Sequence, residues 1–213
     1  MSSFSPYSIF IFMDRNELVR ELFRLAEPYL MIRGDLSHAQ VSHRYALRLL
    51  EEEGGEPRIV EPAVILHDVG WSKLEPEQIK IAFGVRAGGE EAERLNRIHE
   101  REGAAIAGRI LESLRYNPRW LERIISFIER HDSGDQPDSL EEKLVKDADK
   151  LWRFSPVGFW NERERQGLDP NELHSFLLKK YPTWFYTPTA LNLAGEELRS
   201  RELEISSPAS SNQ

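Results

Sequence analysis

The sequence predicts a single all-α domain, on three observations. Apolar residues recur three and four positions apart through one segment after another, the period of a helix with one buried face. Glycine and proline punctuate those segments at the spacing of helix ends. Neither the alternating pattern of a half-buried strand nor an internal repeat occurs, and 213 residues suffice for one sizeable core.

Residues 1–13 read as a disordered extension, with an apolar run too short and too poor in basic residues for a secretory signal. The domain is expected over 14–204 and a disordered tail over 205–213. The first helix, Asp14 to Met31, carries Leu18, Leu22, Leu25 and Tyr29 on one face, and Pro28 predicts a kink or break near its end. Arg33-Gly34-Asp35 is a turn, with Asp35 as candidate N-cap of a second helix that Gly54-Gly55 stops. Pro57 opens a third helix, which delivers His67-Asp68 behind an apolar run before Gly70 ends it.

Residues 71–90 read as a surface excursion with one helix near Pro76 to Phe83. Gly88-Gly89 is a turn and not a phosphate loop, because no strand precedes it and no GxxxxGK[ST] pattern is present. Further helices are predicted over Glu90–Leu114, from Asn117-Pro118 to about Arg130, over Leu140–Trp152 and over Pro188–Glu204. Shorter pieces fill 156–180, and Tyr181-Pro182 is expected to break the chain.

Composition narrows the chemistry. The chain has a formal charge of −8, and its arginines and lysines alternate with glutamates, the look of solvated helix faces rather than of a DNA or RNA footprint. No stretch is long and apolar enough to span a membrane, so a cytoplasmic protein is expected. There is no cysteine, which excludes thiolate metal sites, disulfides and cysteine nucleophiles. Any metal would take histidine and carboxylate ligands.

Three histidines on three helices point inward. His67 follows Val60, Ala63 and Val64; His99 lies on the stripe of Leu95, Gly103, Ile106 and Ile110; His131 follows Ile124, Phe127 and Ile128. One such residue is most often structural. Three beside an aspartate are hard to satisfy separately, whereas a shared metal satisfies them together. On the second helix His38 lies near the middle of the apolar stripe and His43 toward its margin, so His38 is preferred with His43 as alternative. His174 has no companions and reads as a surface or packing residue. Asp147 and Asp149 flank the stripe of the helix at 140–152 symmetrically, and periodicity does not choose between them.

His38, His-Asp at 67–68, His-Glu at 99–100, the run ending at His131 and DADKL at 147–151 together resemble the HD-domain superfamily of metal-dependent phosphohydrolases, in its small bacterial branch. The resemblance covers 35–152 and extends more weakly to the C-terminal helix. It implies a helical HD fold with a metal site between core helices. The implied ligands are His38, His67, Asp68 and Asp149, with His99 and His131 bringing in a second ion and Asp68 bridging the two.

It also implies hydrolysis of a nucleotide or other small phosphate ester by a metal-activated water, with one or two divalent ions per chain. Iron or manganese is expected first, with zinc, cobalt, nickel or magnesium possible. A di-iron oxygenase and a non-catalytic nucleotide-binding regulator are the alternatives on the same scaffold. Many signalling members read HDxGK. Here Trp71 follows Gly70, and the GYP motif of the cyclic-di-GMP phosphodiesterases is missing. Arg33, Lys73 and Lys150 are the basic residues proposed to reach a phosphate, and Glu100 is either a support for its neighbour or exposed.

Overall fold

The computed structural model describes residues 13–32, 34–85, 87–134 and 136–207. The extension expected before residue 13, most of the tail and Arg33 lie outside the described residues. Ten α-helices follow one another, with no strand among the described residues: α1 (Arg15–Leu30), α2 (Leu36–Glu53), α3 (Pro57–Leu66), α4 (Pro76–Ala82), α5 (Glu90–Ser113), α6 (Pro118–Ile128), α7 (Leu140–Leu151), α8 (Pro156–Gln166), α9 (Pro170–Trp184) and α10 (Pro188–Ser206). Short 3-10 turns at Val69–Lys73 and Trp152–Phe154 continue α3 and α7.

Helices α2, α3, α5, α6 and α7 surround the site. Helix α3 packs on α1, α2, α6 and α7, and α10 closes the far side against α2, α7 and α9. Its sequence explains that central place: eight of its ten residues are Ile, Val, Ala, Leu or Pro, and all but Pro57 and Arg58 are buried. Pro62 sits inside α3 and cannot donate to the carbonyl of Arg58. The Tyr116 hydroxyl donates to that carbonyl instead, at 2.6 Å, so the helix runs on unbroken.

Local punctuation departs from expectation in three places. Helix α1 ends two residues beyond Pro28, near where a break was expected, but α9 runs through Pro182, so the break expected at Tyr181-Pro182 falls at Phe185. Asp14 caps α1 by accepting from the Glu17 amide at 2.8 Å. Asp35 occupies the N-cap of α2 but makes no capping bond; its carboxylate accepts from Arg165 at 3.2 Å, joining α2 to α8. Finally, 71–90 is no mere surface excursion. Trp71, Leu74, Ile79 and Ala82 bury themselves against Leu95 as a second small core, because the 3-10 turn and α4 set these four on the side facing α5.

Candidate metal centre

His67 is the C-cap of α3, and its ring turns back along the helix: Nδ1–H donates to the Val64 carbonyl at 2.7 Å. His131, just after α6, does the same to Ile128 at 2.8 Å. Each bond commits the Nδ1 proton and leaves the Nε2 lone pair facing inward, the tautomer of a metal-ligating imidazole. His38 and His99 aim Nε2 at the same place from α2 and α5. Their Nδ1 atoms are buried without a hydrogen-bond partner.

The donor atoms form two adjoining groups. His38 Nε2 lies 3.1 Å from His67 Nε2 and 3.0 Å from Asp149 Oδ1, and His67 Nε2 lies 3.3 Å from the same oxygen. On the other side His99 Nε2 and His131 Nε2 are 3.3 Å apart. Asp68 stands between: Oδ1 is 3.5, 3.4 and 3.8 Å from Nε2 of His67, His99 and His131, and Oδ2 is 3.7 Å from that of His38. The Trp71 indole N–H donates to Asp68 Oδ1 at 3.0 Å and fixes its rotation.

This meeting depends on one close approach. A methyl group on Gly70 would lie 2.0 Å from the His99 carbonyl and 2.5 Å from the Gly103 amide, so only glycine lets the turn carrying Asp68 lie against α5. Trp71 then stacks on the His99 ring, with centroids 4.0 Å apart and planes 16° from parallel.

The donor set fits a divalent cation. Ligands sharing one ion at about 2.1 Å stand about 3.0–3.4 Å from each other, which is the spacing among His38, His67 and Asp149 and between His99 and His131, while Asp68 stands slightly wider at 3.4–3.8 Å. The charges agree. Burial opposes protonation of His67, yet the carboxylates of Asp68 and Asp149 outweigh it and raise its pKa to about 10. Asp149 is held well below the usual carboxylate range, its burial overcome by the imidazoles of His38 and His67. His99, fully buried, is pushed down by desolvation, which Asp68 only partly offsets. The carboxylates therefore draw positive charge to the cluster, either as a proton on His67 or as a divalent cation that displaces it.

A family model for the HD domain matches residues 36–153, more than half of the chain. The chain belongs to the HD-domain family. No curated protein matches it significantly in sequence. A crystal structure of a predicted HD superfamily hydrolase from an uncultured Thermotogales bacterium superposes with a TM-score of 0.60, covering 90% of this chain and 94% of that one at 20% identity. That likeness supports the same fold. HD domains bind divalent metals, and this HD domain has a histidine–aspartate cluster suited to one.

Residues that sequence reasoning left undecided separate clearly in this HD domain. Asp149 enters the cluster. Asp147, two residues earlier, points to the N-terminus of α10, where it accepts from the amides of Tyr186 and Thr187 and from the Thr187 hydroxyl. His43 pairs with Glu61 at 2.7 Å, away from the cluster, and His174 lies 3.1 Å from the Leu198 carbonyl. Glu100 is buried and accepts from the amides of Asp132 and Ser133 and from the Ser133 hydroxyl. It thus ties the turn that follows His131.

Two adjoining cavities of about 350 and 360 Å³ open over the cluster and share Asp132, Asp149 and Arg153. Lys150 lines the first; Lys73, exposed on its turn, lines neither. Sequence reasoning missed Arg153, Asp132 and Trp71. Arg153 lies four residues beyond Asp149, a spacing that puts both on one face and was there to be read. Asp132 Oδ2 is 3.6 Å from His131 Nε2 and completes a third donor group with His99 and His131. As one acid in the polar run DSGDQP, it carried no signal of that place.

Proposed function

We propose that this HD domain is a metal-dependent phosphohydrolase acting on a nucleotide or other small phosphate ester. The observation that carries the reading is the convergence of four imidazole Nε2 atoms and two aspartates, from five helical elements, beneath a cavity edged with cations. His38, His67 and Asp149 would hold one ion, His99 and His131 the second, and Asp68 would be shared between them. Asp132 stands close enough to add a fourth donor to the second ion. When bound, the pair supplies Lewis acidity toward a phosphoryl oxygen and a hydroxide nucleophile near neutral pH. All-nitrogen and oxygen donors suit iron or manganese first.

The chain's own groups do the rest. Trp71 holds Asp68 in one rotation, and the Val64 and Ile128 carbonyls hold the tautomers of His67 and His131. Arg153 reaches both cavities and is placed to neutralise a phosphoryl oxygen. It stays charged because Glu162 and Asp149 outweigh the burial that disfavours its cation. Phe83 and Trp184 add apolar wall to the second cavity. The reading places the protein in the cytoplasm, where phosphorylated metabolites occur.

The test is a screen of purified protein, loaded separately with Mn, Fe, Co, Ni or Mg, against phosphomonoesters, nucleotides and cyclic dinucleotides. Metal-dependent release of phosphate, lost in His67→Ala, is the expected result. No turnover above that variant on any substrate contradicts the reading. Oxygen consumption by an iron-loaded sample with an organic substrate would favour the di-iron oxygenase.

A further inference from the structure

The first cavity holds more positive charge than a single reacting phosphate requires. Within a chain of net charge −8 it gathers Lys146, Lys150, Arg153 and Lys180 against two carboxylates, Asp132 and Asp149. Asp149 is already engaged with His38 and His67. Lys146 donates to the carbonyls of Arg130 and His131 and serves the turn.

Lys150 and Lys180 keep donors to spare. Lys150 donates once, to the Trp184 carbonyl at 2.8 Å, and lies 4.3 Å from the centre of the Tyr186 ring, leaving two N–H groups. Arg153 pairs with Glu162 at 3.7 Å and, lining both cavities, serves the reacting phosphoryl oxygen. Lys180 is exposed at the rim, with its ammonium beside the Phe176 ring at 5.8 Å. Both lysines line the cavity together with His131 and Asp149, and Trp184 and Tyr186 add flat apolar wall to it.

We infer that the substrate carries a second phosphate, seated on Lys150 and Lys180, with a planar base or ring against Trp184 and Tyr186. The substrate class is then a bisphosphorylated nucleoside or similar compound rather than a simple monoester. This rests on the phosphohydrolase reading and deepens it. The physical reason is that an ammonium facing a half-enclosed cavity with donors to spare gains most from a multiply charged anion, through charge-assisted bonds. An aromatic wall beside it gains from a stacked ring. The cavities are of the size that holds small-molecule ligands.

The experiment is calorimetric titration of the manganese-loaded protein with two non-hydrolysable probes, the methylenephosphonate analogues of AMP and of adenosine 3′,5′-bisphosphate. The bisphosphonate is expected to bind at least about tenfold more tightly, a difference of about 1.4 kcal/mol. Lys180→Gln, at an exposed position, should bring the ratio below about threefold with the AMP analogue hardly changed. Lys150→Gln is the second variant, and a thermal melt confirms that each is folded. Equal binding of the two probes by the wild type, or a full preference retained in both variants, overturns the inference. A preference without phosphate release from the natural nucleotides upholds it and instead defeats the phosphohydrolase reading.

Discussion

The two halves of the cluster use the same kinds of donor and differ in how they are held. His38, His67 and Asp149 come from within or at the end of α2, α3 and α7, are all buried, and stand 3.0–3.3 Å apart. His99, His131 and Asp68 stand 3.3–3.8 Å apart, and the acid nearest them, Asp132, is exposed. The first half rests on regular helix. The second relies on the turn after α6, kept in place by Glu100 from α5 and Lys146 from α7. Similar ligands on supports of different stiffness should bind with different strength, so two unequal metal affinities are expected, the tighter at His38, His67 and Asp149.

The largest effect is expected from His67→Ala, which removes a ligand of the tighter half beside the shared Asp68. Both ions and all turnover should be lost, as metal analysis and phosphate release would show. His131→Ala should separate the halves: one equivalent stays, the second is lost, and hydrolysis falls to that of a one-ion site. Glu100→Ala touches no donor atom but frees the turn. It should weaken only the second ion, by about tenfold to a hundredfold in a manganese titration.

Gly70→Ala forces a methyl group into the His99 carbonyl. It should cost about 1–3 kcal/mol, or a drop in Tm of about 2–4 °C for each kcal/mol in a chain of this size, and loosen the second half more than the first. The smallest effect on metal is expected from Asp147→Asn, which should keep both equivalents.

The consequence of that last change lies in stability. Burial, opposed by bonds from Tyr186 and Thr187, raises the Asp147 carboxyl to about 6. A carboxyl whose pKa is higher folded than unfolded favours the fold when protonated. Its contribution is therefore complete below about pH 4 and lost as pH rises through 6. Denaturant melts of wild type relative to Asp147→Asn should lose about 3 kcal/mol across that window.

The fold was legible because helix periodicity and punctuation agree over most of the chain. Pro182 misled since a proline near a helix end costs little when only the last turn follows it. The inward histidines were legible for the same reason as the core: His67, His99 and His131 continue apolar stripes. Asp147 and Asp149 flank their stripe symmetrically, and what separates them is tertiary, the arrival of α10 on one side and of two imidazoles on the other.

Trp71 reads as part of a surface excursion until Gly70 lays the turn on α5, after which it stacks on His99 and bonds Asp68. Asp132 is an ordinary loop acid in sequence, and only the turn secured by Glu100 brings it beside His131.

Calorimetric titration of metal-stripped protein with manganese, read together with metal content after dialysis, tests the central claim most directly. Two equivalents with separated affinities are predicted, the weaker abolished by His131→Ala and both by His67→Ala. Wild-type protein that takes up no manganese, or whose uptake is unchanged by either substitution, would contradict a paired metal centre in this HD domain.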